Sequence, residues 1–164
     1  MKKYITISLL LICSVCYSQL YGQLLGNQNQ LSYGYCVDVM ALTSSPADAA
    51  TTYIGNNPKA PTTTAGLNKI FIRFRSQIIG AEIFCNSGTA GTAENWSLYI
   101  RVNNTTDYLI QTVGIASGQR SFSNWSMNIQ LNANDYFEVK MVNPTWVTNP
   151  LTTTFGGYVF ISPN

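Results

Sequence analysis

Apolar and polar residues alternate along much of the chain. The clearest case is Trp96–Val102, in which Trp, Leu, Ile and Val fall on one parity and Ser, Tyr and Arg on the other. Two runs near the C-terminus, Trp125–Leu131 and Tyr136–Val142, alternate in the same way. Because successive side chains of a β-strand point to opposite faces, this pattern predicts strands with one buried side.

Shorter alternating runs complete the pattern. In Lys69–Arg75 we expect Ile70, Ile72 and Phe74 to point into the core. We interpret Gly114–Asn124, which does not alternate, as a loop. The other predicted strands are Leu31–Leu42, Thr51–Gly55, Gly80–Cys85, Tyr108–Val113 and Phe155–Ile161. Outside the N-terminal segment no window has a helical period, so about eight or nine strands joined by turns predict an all-β antiparallel sandwich or barrel. Spacing alone does not separate an immunoglobulin-like sandwich from a jelly roll.

The last strand is apolar on both parities. Tyr158 and Phe160 lie on one side, and Gly157, Val159 and Ile161 lie on the other. A strand with two apolar faces is expected where one face meets the core and the other meets another subunit. Two further residues, Tyr33 and Tyr35, fit the same surface, so these tyrosines and Tyr158 and Phe160 form the predicted subunit interface of a homo-oligomer.

The N-terminus has the pattern of a helical secretory signal peptide. Met1-Lys2-Lys3 is basic, Ile5–Val15 is mostly apolar, and small residues favour cleavage after Ser18. The apolar run is shorter than the roughly 18 residues that a membrane span needs. We therefore predict a signal peptide over 1–18, an exposed arm over 19–30 and one β-domain over 31–164, in a secreted, extracellular or periplasmic protein without membrane insertion after signal removal.

Charge excludes one class of partner. Of 9 basic residues, Lys2 and Lys3 leave with the signal, so 7 remain against 7 acidic residues. Nucleic-acid binding rests largely on the neutralisation of phosphates by clustered Lys and Arg. A neutral chain without a basic stripe is therefore not expected to bind nucleic acid.

Two cysteines and one tryptophan are open to two interpretations each. Cys36 and Cys85 remain after signal removal and could form a disulfide in an exported protein, or could both be buried thiols. Trp146 lies in the Pro-flanked segment Pro144–Pro150. It could contact a ligand from an exposed loop, or it could plug the end of the sandwich.

Catalytic and metal chemistry has few candidate residues. The chain has no histidine, which excludes a Ser-His-Asp triad and leaves a zinc site without its usual imidazole. A glycosidase needs two facing carboxylates. Asp135 and Glu138 are the nearest pair, but their offset puts them on opposite faces of a strand. We predict no catalytic, cofactor or metal residue, although loops could assemble a calcium site.

Several segments carry a family resemblance. They are Ser45–Asp48, Tyr53–Gly55, Trp96–Asp107, Asn134–Lys140, Pro144–Pro150 and Phe155–Tyr158. Over roughly Leu42–Ile161 the chain resembles the small β-domains at the tips of bacteriophage tail fibres. Its closing pattern is also similar to the tumour necrosis factor and complement globular-head jelly rolls. The resemblance implies a compact jelly roll, usually trimeric, that displays loops for binding. One departure is the absence of a long shaft between the signal and the head.

These observations lead to three functional hypotheses. The first is a non-enzymatic module, secreted or virion-associated and trimeric, that recognises a cell-surface glycan or protein receptor through its loops. The second is a structural subunit of an extracellular filament or capsid decoration, in which the arm Gln19–Gln30 pairs with a neighbouring subunit. The third and least favoured is a carbohydrate-active enzyme.

Overall fold

The computed structural model describes residues 34–43, 46–56, 60–87, 94–115 and 119–164 of the chain. These residues belong to one compact unit, Gly34–Asn164. The predicted signal peptide, the arm and Tyr33 lie outside the described residues. Over the described ranges, no helix is long and apolar enough to cross a membrane.

The described residues form strands joined by turns, and the all-β prediction is confirmed. The strands are β1 (Tyr35–Thr43), β2 (Thr51–Ile54), β3 (Ile70–Phe71), β4 (Ser76–Ser87), β5 (Glu94–Val102), β6 (Thr106–Ile115), β7 (Gln119–Asn124), β8 (Ile129–Leu131), β9 (Tyr136–Val142) and β10 (Thr153–Pro163).

The strands form two antiparallel sheets. Sheet A has the order β1-β10-β4-β7, and sheet B has the order β2-β9-β5-β6. The short strands β8 and β3 extend these sheets, since β8 shares one side of β4 with β7 and β3 shares one side of β9 with β2. The ten described strands therefore occupy eight positions, four in each sheet, which is the arrangement of a jelly roll. The predicted jelly-roll sandwich is confirmed.

Strand β10 runs between β1 and β4 and sets the register of sheet A. Its residues Thr153–Ile161 pair with β1, and its whole length pairs with β4, with one bulge after Phe160. Because alternate residues face opposite sides, Phe155, Val159 and Ile161 are buried between the sheets and Tyr158 and Phe160 point outward. The prediction of two apolar faces on this strand is confirmed.

Trp96 of β5 lies at the centre of the core. Its ring meets those of Phe122, Trp146 and Phe155 edge-on at centroid distances of 5.0 to 6.3 Å. Its indole Nε1 donates a hydrogen bond of 2.7 Å to Asn143 Oδ1, which satisfies a polar atom that would otherwise be buried without a partner. The cluster joins both sheets, because Trp96 belongs to sheet B while Phe122 and Phe155 belong to sheet A.

The segment Lys69–Arg75 departs from its prediction. Ile70 and Ile72 are buried as expected, but only Ile70–Phe71 forms a strand and Phe74 is 75% exposed. The chain bends at Phe74 because it leaves β3 in sheet B to enter β4 in sheet A. Crossing between sheets ends the alternation before it reaches Phe74, so the prediction for that residue is wrong.

Two boundaries near β7 and β8 also differ from the prediction. The predicted loop Gly114–Asn124 contains β7, which pairs with Ala81–Asn86 of β4. Only Phe122 of this polar strand is buried among the large apolar residues of the core, so its periodicity is weak. Trp125, predicted as the first strand residue of the next run, lies on a bend and is exposed, and β8 begins only at Ile129.

Cys36 and Cys85 do not form the disulfide that the sequence left open. Cys36 is opposite Phe160 of β10 on the outer side of sheet A, whereas Cys85 is opposite Phe155 on the inner side. Disulfide geometry requires Cα atoms within about 7 Å and Cβ vectors that converge. The two cysteines lie on opposite faces of sheet A and are offset by five residues along β10, so their side chains cannot meet this requirement. The alternative of two buried thiols is also wrong for Cys36, which is exposed.

The two adjacent glycines of β10 predict opposite responses to substitution. A Cβ on Gly157 would lie against the backbone of Glu82 and Ile83, whereas a Cβ on Gly156 would meet no atom within 4 Å. We expect Gly157→Ala to lower the free energy of unfolding by about 1 to 3 kcal/mol, the usual cost of overpacking. Gly156→Ala is the control and should change it by less than about 0.5 kcal/mol. Urea unfolding followed by tryptophan fluorescence measures both, and equal losses would contradict the register of β10.

Candidate functional site

The outer face of sheet A carries several large apolar side chains. It is built from the outward-pointing residues of β1, β10 and β4, with Trp125 lying against it. Its exposed or half-buried large apolar residues are Met40, Leu42, Phe84, Trp125, Tyr158 and Phe160. A contiguous apolar patch on the surface of a soluble domain is typical of a binding site.

A cleft of about 400 Å³ opens in this face. Its walls include Met40 of β1 and Phe84 of β4, which are the cross-strand neighbours of Gly156 on its two sides. Tyr158 lies at the next outward position of β10 and lines the cleft as well. This volume falls within the range of small-ligand sites in proteins.

The cleft exists because residue 156 is a glycine. Nothing within 4 Å would oppose a Cβ at this position, and the backbone is not in the left-handed region. Packing therefore does not demand glycine here. A larger side chain would project between Met40 and Phe84 and fill the cleft, so the glycine has its effect on the surface rather than on the fold.

Two carboxylates flank the cleft. Asp38, Tyr158 and Glu82 are direct cross-strand neighbours, so one carboxylate lies on each side of the tyrosine. Ser121 Oγ donates a hydrogen bond of 3.5 Å to Glu82 Oε1. No Lys or Arg is among the described residues that line this cleft. The site thus combines apolar walls with hydrogen-bond acceptors and negative charge.

A pair of aromatic rings continues the outer face beyond Tyr158. Trp125 and Phe160 have ring centroids 4.8 Å apart with planes inclined at 47°, and Phe160 is 6.4 Å from Tyr158. Gly80 is directly across from Phe160, and a Cβ on Gly80 would be 3.1 Å from Trp125 Cε3. The missing side chain at Gly80 gives the indole its place against the strand.

The outer side of sheet B differs, because a loop covers part of it. Gly66 N donates hydrogen bonds of 2.9 and 3.1 Å to the two carboxylate oxygens of Glu138, which is fully buried. Tyr53 is buried as well, and its backbone pairs with Thr62 of the same loop. The residues that this loop covers are not available to a ligand.

Charged residues near the uncovered part of sheet B form ion pairs with one another. Asp107 accepts hydrogen bonds of 2.6 Å from both Arg101 Nη1 and Lys140 Nζ. Burial alone would raise the pKa of the Asp107 carboxyl, but the hydrogen bonds from Lys140 and Arg101 outweigh it, and the pKa lies below its ordinary value. The same bond to Asp107 raises the pKa of Arg101. We interpret this cluster as structural.

A second cleft, of about 370 Å³, lies between β6 and the segment that joins β7 to β8. Its lining includes Asn124, whose Nδ2 donates to the Leu109 carbonyl oxygen and whose Oδ1 accepts from Ser126 N. The Asn124 amide is therefore committed to linking local backbone. This cleft is a weaker candidate than the one above Gly156.

The structure separates the four predicted interface residues. Tyr158 and Phe160 lie together on the outer face of sheet A, and Tyr33 lies outside the described residues. Tyr35 is paired with Ile161, whose side chain is buried, so it follows the inner parity of sheet A and does not join Tyr158. Cys36 takes the outward position beside Phe160 instead. The grouping of Tyr35 with this surface is corrected, and its role in a subunit interface stays a prediction.

Trp146 is not the exposed ligand contact that its loop position suggested. It is 6% exposed and its ring is 5.3 Å from that of Trp96, edge-on. The indole closes the end of the sandwich, which was the other interpretation of the sequence. An anchor for a ligand must be reachable, and this ring is not.

Several residues of the cleft were missed by sequence reasoning. Asp38, Met40, Phe84 and Gly156 come from three strands, to one of which the neighbouring Glu82 also belongs, and no motif links them. A signal was present, because Met40 and Phe84 are apolar residues on the outward parity of their strands. Its meaning depends on knowing that β1, β10 and β4 are neighbours.

Asp135 and Glu138 each have structural partners in the described part of the chain. Its residues contain no group of three or more His, Cys, Asp or Glu that could hold a metal ion. Asp135 is a turn residue as predicted, with Oδ2 accepting from Asn132 N at 2.7 Å and Oδ1 accepting from Asn103 Nδ2 at 2.8 Å. Glu138 lies beneath the loop that carries Gly66.

No protein-family model matches the chain, and no curated protein matches it. Among the solved structures that match is one described as "CBM4 structure and function", which is 13% identical and has a TM-score of 0.37. The match covers 84% of this chain and 90% of the other. A similarity this low assigns neither fold nor ligand. The resemblance to phage tail-fibre tips stays a prediction.

The positions of the two cysteines predict selective labelling. Iodoacetamide should modify Cys36 in the folded protein, because its thiol is exposed on the outer face of sheet A, and should modify Cys85 only after unfolding, because it is buried. Peptide mass spectrometry measures both, and Cys36→Ser is the control. A bond between Cys36 and Cys85 in the unreduced protein would contradict the register of sheet A.

The ion pairs of Asp107 predict a pH dependence. A carboxyl whose pKa is lowered by folding stabilises the protein above its unfolded pKa of about 3.9, and this contribution is lost as the pH falls through the folded pKa. We expect Asp107→Asn to lower the free energy of unfolding by at most about 1 kcal/mol at neutral pH, because the three side chains are partly solvated.

The difference between Asp107→Asn and the wild type should shrink as the pH falls below about 3.9. Urea unfolding at a series of pH values measures it. Asp38→Asn, on the other sheet, is the matched control. A difference that grows on acidification would be inconsistent with the ion pairs.

Proposed function

We propose that this chain is a non-catalytic glycan-binding module, secreted or virion-associated, that holds a cell-surface glycan on the outer face of sheet A. The observation that carries the proposal is the cleft above Gly156, whose apolar walls lie beside the carboxylates of Asp38 and Glu82. The signal pattern of Met1–Ser18 supports an exported setting.

The chemistry of the cleft suits a sugar ring. One side of a pyranose presents C–H groups, which pack on apolar and aromatic surfaces, and its edge presents hydroxyl donors. Met40, Phe84 and Tyr158 supply the apolar contact. Asp38 and Glu82 supply acceptors, since an ionised carboxylate accepts several hydrogen bonds and donates none. Ser121 and Thr154, exposed at outward positions nearby, add a polar rim.

The charge of the cleft supports selectivity for neutral glycans. Asp38 is the charged side chain among its described lining residues, Glu82 lies across Tyr158 from it, and none of the described lining residues is basic. A sulfate or carboxylate on the ligand would approach like charges and lose favourable hydration without gaining a cationic partner. The proposed ligand is therefore a neutral oligosaccharide.

The first test fills the cleft. The mature protein is applied to an immobilised panel of neutral oligosaccharides built from glucose, galactose, mannose or N-acetylglucosamine, and the best ligand is measured by calorimetry. We expect Gly156→Val to weaken binding by about tenfold or more, which corresponds to about 1.4 kcal/mol. Ser162→Val, at an outward position further along β10, is the matched control and should bind as the wild type does.

Two results would overturn the proposal. Absence of binding to every neutral glycan of the panel would reject the function. Unchanged binding by Gly156→Val, with thermal melting that shows an intact fold, would move the site away from this cleft.

The second test concerns charge. We expect a uronic-acid analogue of the best neutral ligand to bind more weakly than that ligand, and the difference to narrow in Asp38→Asn/Glu82→Gln. It should also narrow as salt is added, because exposed charges are screened. Both are measured by calorimetry. A preference for the acidic analogue would contradict the proposed selectivity.

Self-association is a second candidate role for the same face. The exposed apolar residues Met40, Leu42 and Tyr158 favour it, and the fibre-tip resemblance implies a trimer. Sedimentation equilibrium of the wild type and of Tyr158→Ser tests it. A trimer that Tyr158→Ser dissociates would assign the face to contacts between copies, whereas a monomer at micromolar concentration leaves it open to a glycan.

A further inference from the structure

We propose that Trp125 and Phe160 form a second subsite on the outer face of sheet A, so that the ligand is a linear oligosaccharide lying along β10 rather than a single terminal sugar. This inference rests on the proposed function. It adds a residue from outside the cleft, Trp125, and a requirement on the length of the ligand.

The indole of Trp125 is placed by the strand beneath it. Trp125 follows β7, and its ring lies against β4 where Gly80 has no side chain and next to Phe160 at 4.8 Å. The indole nevertheless stays 57% exposed. A large ring that is held on one side and open on the other presents a surface for another apolar group.

The ring pair continues directly from the cleft. Gly156, Tyr158 and Phe160 are successive outward residues of β10, and the rings of Tyr158 and Phe160 are 6.4 Å apart. Four residues of an extended strand span about 13 Å. A chain of several linked sugars is therefore needed to reach from the cleft to Trp125, and a monosaccharide in the cleft cannot touch the indole.

The centre of this path offers polar contacts. The row in which Asp38 and Glu82 flank Tyr158 lies at the end of the cleft nearest the ring pair. A sugar at this level has acceptors on both edges for its hydroxyl groups and a ring beneath it. The hydroxyl groups of an extended oligosaccharide point sideways along its whole length. Such a ligand fits a surface with apolar contacts at each end and carboxylates in the middle.

The test compares ligand length with a variant at Trp125. Each oligosaccharide series that binds in the panel is titrated by calorimetry, from the monosaccharide to the hexasaccharide. Wild-type affinity should rise with length until the ligand spans both subsites. We expect Trp125→Ala to remove the gain, about tenfold or more for the longest ligand, and to leave the affinity for the shortest measurable ligand unchanged.

Two control variants distinguish the loss of the indole contact from general effects of substitution. Trp125→Phe keeps a ring and should keep most of the gain with length. Val147→Ala removes another exposed apolar side chain, in the segment between β9 and β10, and should behave as the wild type does. Thermal melting establishes that each variant is folded.

The outcomes distinguish this inference from the proposed function. If Trp125→Ala weakens short and long ligands equally, or weakens neither, the second subsite is rejected while glycan binding in the cleft stands. Wild-type affinity that is independent of length rejects it as well. If no ligand of any length binds, the proposed function fails and the subsite fails with it.

Discussion

The register of β10 between β1 and β4 is the constraint on which the rest of the molecule depends. It places Phe155, Val159 and Ile161 in the core and Tyr158 and Phe160 outside. A slip of one residue would exchange these two sets, because side chains alternate along a strand. Gly157 resists such a slip, since its position against the backbone of β4 has no room for a Cβ. The composition of the outer face therefore follows from the packing of the inner one.

The core explains why a sheet face, and not the Trp146 loop, became the candidate site. Trp96 joins the two sheets through its ring contacts and its hydrogen bond to Asn143, whose Nδ2 in turn donates to the Ala47 carbonyl oxygen. Trp146 packs on the same ring and closes that end of the sandwich. Trp146, for which the sequence left a ligand contact open, is thus used for stability. On sheet B, the loop over Glu138 and the ion pairs of Asp107 occupy the surface.

Two glycines shape the outer face of sheet A through the side chains that they lack. Gly156 leaves a gap between Met40 and Phe84, and Gly80 leaves the space in which Trp125 lies beside Phe160. Neither has a positive φ, so neither is required for its backbone conformation. Glycine weakens a strand in general. At Gly156 the absence of a side chain is best explained by the surface that results, whereas a Cβ on Gly80 would also lie 3.2 Å from the Asn124 carbonyl oxygen. Gly156 thus connects the stability of the sheet to the proposed recognition of a glycan.

Local patterns in the sequence were sufficient for the fold class and for the two faces of individual strands. Alternation predicted the buried sides of β4, β5, β9 and β10 because contiguous residues encode it. Alternation did not reveal β7, where Phe122 is the large apolar residue of the core. It also predicted strand residues at Phe74, where the chain crosses between sheets, and at Trp125, where the chain bends.

The candidate site could be predicted only in part. Tyr158 and Phe160 were found on an exposed parity, but their neighbours come from strands far away in the chain. Long-range pairing alone put Met40 and Phe84 on either side of Gly156, placed Cys36 and Cys85 on opposite faces, and buried Trp146, because such pairing depends on how all strands fill one core.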